Sequence, residues 1–413
     1  MATTTAATTT PFQSGTASPN AKRFWPITPP ASAFAQQQQL HPPAASTNET
    51  EHLDAPPVID MQGLTEHQLV ERVRAACQRW GFFQIVGHGV DPAIRDRFEH
   101  TMRQFFALPT DQKLLCERSA SNARGYVARE MTKQKLDHKE CFDVGNPRDW
   151  NSADDDQINQ GLNGVNRFPQ ADVLPGFRDT VQLYFAEMEQ LSEKVSQIMA
   201  LGMGASRDFF QKAMTSRHTS HLRLNHYPEL AAAAESDALG VGPHTDSGFL
   251  TVLAQDEEVH TLQVKDRLTE QWVPVTPVPG AFTINTGDLC VIFSNGLYHA
   301  PEHRVLTHTK ERYSAPYFYA PAYETEIGPL DNLITPDRPS QFWPMQWGYF
   351  RAMRAMNNFG AGAYVKVDHW RVTDDGSKPE HVERQEQFSA VADYNVPFDI
   401  EVYQQKLHEM SQQ

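Results

Sequence analysis

The chain has 413 residues, 40% of them hydrophobic, which is enough for a sizeable core, and 36 Lys+Arg against 51 Asp+Glu give a formal net charge of −15. That acidic balance argues against a general binder of nucleic acid or of an anionic membrane, because both need a basic face. No run of about 20 apolar residues occurs, so no transmembrane helix is expected.

Taken in chain order, residues 1–55 stand apart. Six of the first ten are Thr, and no acidic residue precedes Glu49. Such a segment buries too little apolar surface to offset its chain entropy and is predicted to be a disordered tail. Its Ser/Thr-rich, acid-poor texture also suits a transit peptide, although Lys22 and Arg23 are its only cations. The folded part is expected to begin near Pro57, with a short strand at 58–60. A helix over 65–80 follows, then a buried strand at 82–86 and a second helix over 92–106. A long helix is expected over 177–201. From about His221 the texture changes to short runs separated by turn residues. These fall at 222–227, 249–254, 262–264, 272–275, 282–285, 289–293 and 312–319, a spacing that suggests a β-sandwich, jelly roll or barrel. Helical texture returns at 341–356, and a last helix is expected near 401–410. The four cysteines (Cys77, Cys116, Cys141 and Cys290) form no C-x-x-C pair. They read as reduced thiols of a cytosolic protein.

The chemistry concentrates in the β region. His244-Thr245-Asp246 places an imidazole and a carboxylate two residues apart, on one face of a strand if the segment is extended. His303 supplies a second imidazole. Two His and one carboxylate, with open positions left over, suit the facial triad of a non-heme Fe(II) centre better than tetrahedral zinc. Arg312 and Ser314 share a strand face, and a guanidinium beside a hydroxyl suits a carboxylate ligand. Arg223, Asn225 and Tyr227 share another face. His299 reads as an exposed residue before a Pro-bent strand. The Ala231–Ala234 run reads as a surface loop, and Asp154-Asp155-Asp156 as a solvated one.

Several motifs in order then point one way. They include Pro57-Val58-Ile59-Asp60, Trp80-Gly81-Phe82-Phe83-Gln84, His88-Gly89-Val90, Phe105-Phe106-Ala107-Leu108-Pro109 and Leu174-Pro175-Gly176-Phe177-Arg178. Asn225-His226-Tyr227-Pro228, His244-Thr245-Asp246, Asn285-Thr286-Gly287-Asp288, His303-Arg304-Val305 and Arg312-x-Ser314 follow. Over most of residues 57–360 the chain resembles the isopenicillin N synthase-like branch of the Fe(II)/2-oxoglutarate-dependent dioxygenases.

The resemblance implies an α+β protein: a double-stranded β-helix (jelly roll) core with flanking helices and an α/β N-terminal region. The expected organisation is a tail at 1–55, a mostly helical region at 56–205, the jelly-roll core with its C-terminal helix at 206–360, and an extension at 361–413. By the same resemblance, His244, Asp246 and His303 bind Fe(II). Arg312 and Ser314 hold the distal carboxylate of 2-oxoglutarate, with Tyr227 and Asn225 lining that region. The substrate is a small molecule of secondary metabolism, for which Tyr126, Phe142 and Phe318 are candidate contacts. O2 is consumed, ascorbate stimulates, and hydroxylation, desaturation or cyclisation accompanies release of succinate and CO2. No nucleic-acid or membrane partner is expected, and the protein is expected to be cytoplasmic, as a monomer or weak homo-oligomer. Two other readings stay open: an iron oxidase of the same fold that uses no 2-oxoglutarate, and a non-catalytic binding protein.

Overall fold

The computed structural model describes residues 55–383, apart from 120–121, 133–134, 148–163, 213, 215–217, 231–237, 360–364 and 374. The N-terminal tail, Asp154-Asp155-Asp156, the Ala231–Ala234 run and the segment near 401–410 lie outside the described residues.

In the N-terminal half, β1 (Val58–Asp60), α1 (Glu66–Arg79), β2 (Phe82–Val86), α2 (Pro92–Phe106) and the short α3 (Thr110–Leu114) come first. Strands β3 (Gly125–Val127), β4 (Met131–Thr132), β5 (Lys135–Leu136) and β6 (Glu140–Gly145) precede the long helix α4 (Phe177–Gly202). The next strands are β7 (His221–Tyr227), β8 (Leu239–His244), β9 (Leu250–Gln255), β10 (Leu262–Lys265), β11 (Trp272–Pro274) and β12 (Phe282–Thr286). After α5 (Asp288–Phe293) come β13 (His303–Leu306), β14 (Arg312–Tyr319), β15 (Glu326–Ile327), β16 (Met345–Gln346) and α6 (Trp347–Phe359).

Local chemistry explains the helix starts. Thr65 caps α1 and forms a reciprocal capping box with Gln68, while Asp91 caps α2 ahead of a Pro in its first turn. One face of α1, carrying Leu69, Val73, Ala76 and Cys77, is buried. Eight strands form one sheet in the order β1-β2-β12-β9-β14-β7-β6-β3, and four form a second in the order β11-β10-β13-β8. Strands from both sides of residue 205 therefore share the larger sheet. Between the sheets lies an apolar cluster of Trp80, Phe82, Tyr227, Val241, Leu253, Leu262, Val264 and Val305. Burying such a side chain contributes on the order of 1.5–3 kcal/mol, so this cluster ties the sheets together.

Two sequence expectations fail locally. Residues 289–293 are not a strand: Leu289 to Phe293 lie in α5, with every residue buried. A short, fully apolar run has no periodicity to separate helix from strand. The N-terminal region also carries more strand than its sequence suggested, since β3 and β6 extend the large sheet. All four cysteines are buried free thiols, and among the described residues no helix is long and apolar enough to cross a membrane.

Candidate metal centre and cavity

The two histidines meet across a strand pair. His244 ends β8 and His303 begins β13, and the two are direct register partners with ring centroids 4.3 Å apart. Asp246 is not on that strand, contrary to the extended placement expected of the H-x-D segment; it follows β8 in an irregular connection. The backbone there is pinned from outside. The Asp288 N–H donates to the Asp246 carbonyl at 2.8 Å, and Arg354 donates to the Thr245 carbonyl at 2.8 Å. Gly287 allows the close approach, because a Cβ there would stand 2.2 Å from the Gly248 carbonyl oxygen.

Hydrogen bonding decides which atoms face inward. His244 Nδ1 lies 2.8 Å from the Gly242 carbonyl, and His303 Nδ1 lies 3.3 Å from the Pro301 carbonyl. A carbonyl only accepts, so each Nδ1 carries the hydrogen and each Nε2 presents a lone pair. Thr251 Oγ1 donates to Asp246 Oδ2 at 2.5 Å and Asn285 Nδ2 donates to the same oxygen at 2.8 Å. Oδ1 is thereby left 3.6 Å from His244 Nε2 and 3.7 Å from His303 Nε2. Three lone-pair donors converge with no proton between them, an arrangement a cation satisfies. The nitrogen and oxygen donor set without thiolate fits Fe(II). Phe82 packs edge-on against His303, with centroids 5.3 Å apart.

Charge follows the same logic. Burial, with His303 alongside, pushes the His244 imidazolium down to about 3, so the ring is neutral at pH 7. Burial opposes the charge of Asp246, but the facing imidazoles and the Asn285 and Thr251 donors outweigh it and hold the carboxyl below its ordinary range.

A cavity of about 750 Å³ opens beside these three residues. At one end, β14 and β7 pair Arg312 with Tyr227 and Ser314 with Asn225. Arg312 is 2% exposed, and its Nε and Nη1 have no hydrogen-bond partner. Its guanidinium stands 4.8 Å from the Tyr227 ring centroid. Asn225 donates to Ser314 Oγ at 3.3 Å, while its own Oδ1 is unpartnered. A desolvated guanidinium without an acceptor, beside a hydroxyl and an amide, fits a carboxylate. The residues expected to contact 2-oxoglutarate are thus brought together in the cavity that the triad also lines.

The candidate substrate contacts separate. Phe318 lines the cavity and stacks on His221, with centroids 4.7 Å apart. Tyr126 also lines it, but its hydroxyl is bound to Glu140. Phe142 does not line it; this residue lies fully buried against Phe105 and Phe177. His299 is half-buried rather than exposed, and burial and Arg267 lower its pKa to about 4.

Sequence reasoning placed Arg223 on the face of Asn225 and Tyr227 but missed its partners in the polar wall of the cavity. Arg223 binds both oxygens of Asp143 at 2.7 Å and reaches Glu130 at 2.6 Å. Lys139 meets Glu130 at 3.0 Å and Asp137 at 3.6 Å. The alternation of β7 was the available signal, since His221, Arg223, Asn225 and Tyr227 all face the cavity.

Comparison with known proteins is consistent with this geometry. The model of the non-haem dioxygenase in morphine synthesis N-terminal region matches residues 56–171, and that of the 2OG-Fe(II) oxygenase superfamily matches residues 218–321. Jasmonate-induced oxygenase 2 of Arabidopsis thaliana is 32% identical over 322 residues, covering 74% of this chain and 82% of the relative. Codeine O-demethylase of Papaver somniferum is 32% identical over 300 residues, covering 69% and 77% respectively. The crystal structure of JOX2 in complex with 2OG, Fe and JA superposes with a TM-score of 0.63 at 28% identity, over 88% of this chain and 98% of that one.

Proposed function

Starting from the fact that the chain belongs to the 2OG-Fe(II) oxygenase superfamily and is an Fe(II)- and 2-oxoglutarate-dependent oxygenase, we propose that it hydroxylates, desaturates or cyclises a small organic molecule of secondary metabolism. Succinate and CO2 are the other products. In this reading His244, Asp246 and His303 hold the iron, and Arg312 and Ser314 hold the distal carboxylate of 2-oxoglutarate against Asn225 and Tyr227. The observation that carries it is the pairing of two features in one cavity. Three lone-pair donors converge within 4.8 Å of one another, and the buried Arg312 guanidinium nearby lacks an acceptor.

The bound iron and co-substrate supply the oxidising power for an unactivated C–H bond. The chain supplies the rest. The Gly242 and Pro301 carbonyls fix the tautomers that aim both Nε2 atoms inward. Thr251 and Asn285 hold the Asp246 carboxylate so that one oxygen remains free. Phe82, Val241, Leu253, Leu262 and Val305 exclude water from the Arg312 end, which strengthens the guanidinium–carboxylate pair. The scattered free thiols support a cytoplasmic setting, and we read the protein as a monomer or weak homo-oligomer.

The test is succinate formation from 2-oxoglutarate by anaerobically Fe(II)-loaded protein after admission of O2, with ascorbate present. Slow turnover without substrate, abolished in His244→Ala, is expected. A His244→Ala protein that turned over at the parental rate would overturn the ligand assignment.

A further inference from the structure

The end of the cavity away from Arg312 carries a second guanidinium that the oxygenase reading does not use. Phe318 lies six residues beyond Arg312 on β14, a span of roughly 20 Å at about 3.3 Å per residue. A 2-oxoglutarate molecule held at Arg312 is far too short to bridge that distance. At the far end, His221 on β7 pairs with Phe318, Phe318 pairs with Thr251, and Thr251 pairs with Asn285. Thr251 and Asn285 are the two donors that hold Asp246. One cross-sheet row therefore runs from the metal-binding carboxylate to His221. Two strand spacings separate Thr251 from His221, about 10 Å.

Arg351 of α6 lines the cavity at this end and is half-buried. It makes no hydrogen bond or ion pair with any described residue. The nearby acids are engaged elsewhere: Asp143 holds Arg223 through both oxygens, and Asp288 holds Arg354 at 3.1 Å. Arg124 adds positive field. Its guanidinium is packed so closely on Gly145 that a Cβ there would stand 2.6 Å from Arg124 Nε. Burial, then Arg124, Arg351 and Arg223, hold His221 well below its ordinary pKa, so it adds no competing cation. Tyr323, beside Arg351 and Arg124, has a buried hydroxyl without a partner. Burial lowers the pKa of Arg351 itself, a sign of its desolvation. A partly desolvated cation with no counter-ion among the described residues favours an anionic ligand, and Arg312, 2% exposed, shows the fuller form of this condition at the co-substrate end.

Building on the oxygenase reading, we propose that Arg351 receives the carboxylate of an anionic small-molecule substrate. The flat His221–Phe318 stack forms the floor under its body, and the reacting carbon lies on the order of 10 Å from its acid group, next to the triad. The substrate class is then a small organic acid rather than a neutral or cationic molecule.

The test uses the Fe(II)-loaded protein under anaerobic conditions with saturating 2-oxoglutarate, which fills the Arg312 end. A graded series of ω-phenylalkanoates and their primary amides is titrated by calorimetry. At least one acid is expected to bind about 10-fold or more tightly than its amide, as a charge-assisted pair requires. In Arg351→Met that preference falls to about one, while 2-oxoglutarate affinity serves as the check on folding; Arg351→Gln provides the same reading should the Met variant not fold. Arg351→Lys retains part of the preference. The proposal is overturned if no acid outbinds its amide, or if the preference survives removal of the guanidinium. Failure of the oxygenase reading shows separately, as absent 2-oxoglutarate binding in the same protein, and the acid–amide comparison is then still scored on the Fe(II)-loaded form.

Discussion

Replacing Arg312 by Met separates two effects that have opposite signs. The guanidinium is 2% exposed and leaves Nε and Nη1 without acceptors. Without ligand, such a group is a desolvation cost, and an apolar side chain of similar length should leave the unliganded fold equally stable or slightly more so. With ligand, each charge-assisted hydrogen bond contributes about 1.5–3 kcal/mol. Losing a two-pronged contact therefore costs about 3–5 kcal/mol, or roughly 10²- to 10⁴-fold in the Kd for 2-oxoglutarate. The assay is thermal unfolding of Fe(II)-loaded protein under anaerobic conditions, with and without 2-oxoglutarate. At about 100 times its Kd the ligand stabilises the parent by about 2.7 kcal/mol. At about 2–4 °C per kcal/mol for a domain of this size, the midpoint rises by roughly 5–10 °C. Arg312→Met should show a rise of at most about 1–2 °C at that concentration, and its unliganded midpoint should not fall. An unchanged ligand-induced rise would refute the carboxylate role, and a large drop without ligand would show that the guanidinium is structural.

The remaining predictions follow from the same contacts. Thr251→Val removes one of the two donors to Asp246 Oδ2 and should weaken Fe(II) binding about 10-fold, measured by competition with a chromogenic chelator. Gly287→Ala inserts a Cβ 2.2 Å from the Gly248 carbonyl; the metal loop must shift, and a destabilisation of about 1–3 kcal/mol is expected by denaturant titration. Burial opposes the charge of Glu140, but hydrogen bonds from His226, Lys113 and Tyr126 pull its pKa from 4.5 down to about 2. Its contribution to stability is therefore complete above about pH 4.5 and fades as pH falls toward 2. Glu140→Gln should be less stable than the parent at pH 7, and the gap should close over that acid window in midpoint-against-pH curves.

The triad proposed to hold iron, His244, Asp246 and His303, was legible because coordination chemistry restricts the residue types that can serve. Alone, His244-Thr245-Asp246 is a weak signal; His303, Arg312-x-Ser314 on an apolar strand and the ordered motifs around them made it specific. Periodicity found α1, α2 and α4 to within about two residues, since each buries one continuous stripe. It failed at α5, where all six residues are buried and no stripe exists. Nor could it sort the candidate substrate contacts, of which Tyr126 and Phe318 line the cavity and Phe142 does not. Phe142 and Phe318 are equally apolar in sequence, yet the first is enclosed by Phe105 and Phe177 whereas the second faces the cavity. Which of them is exposed depends on α2 and α4 covering one face of β6, and pairings across such separations leave no local trace.

The polar wall raises a question of energetics that the fold alone does not answer. Arg223, Asp143, Glu130 and Lys139 form a dense ion network, and a well-packed apolar wall would be at least as stable as such a buried cluster. Its position explains its presence. Asp143 and Arg223 are register partners on β6 and β7, one alternation from His221 on one side and from Asn225 on the other. Both oxygens of Asp143 accept from Arg223, and Nε, Nη1 and Nη2 of Arg223 each donate to a carboxylate, so the charge of this pair is largely balanced within the wall. The network thus separates two guanidiniums, Arg312 on the Asn225 side and Arg351 on the His221 side, for which no carboxylate partner is found among the described residues. An anion entering the cavity meets a charge-balanced middle and a guanidinium at each end. The proposed pairing of 2-oxoglutarate at Arg312 with an anionic substrate at Arg351 would place two different acids in one cavity without exchanging places.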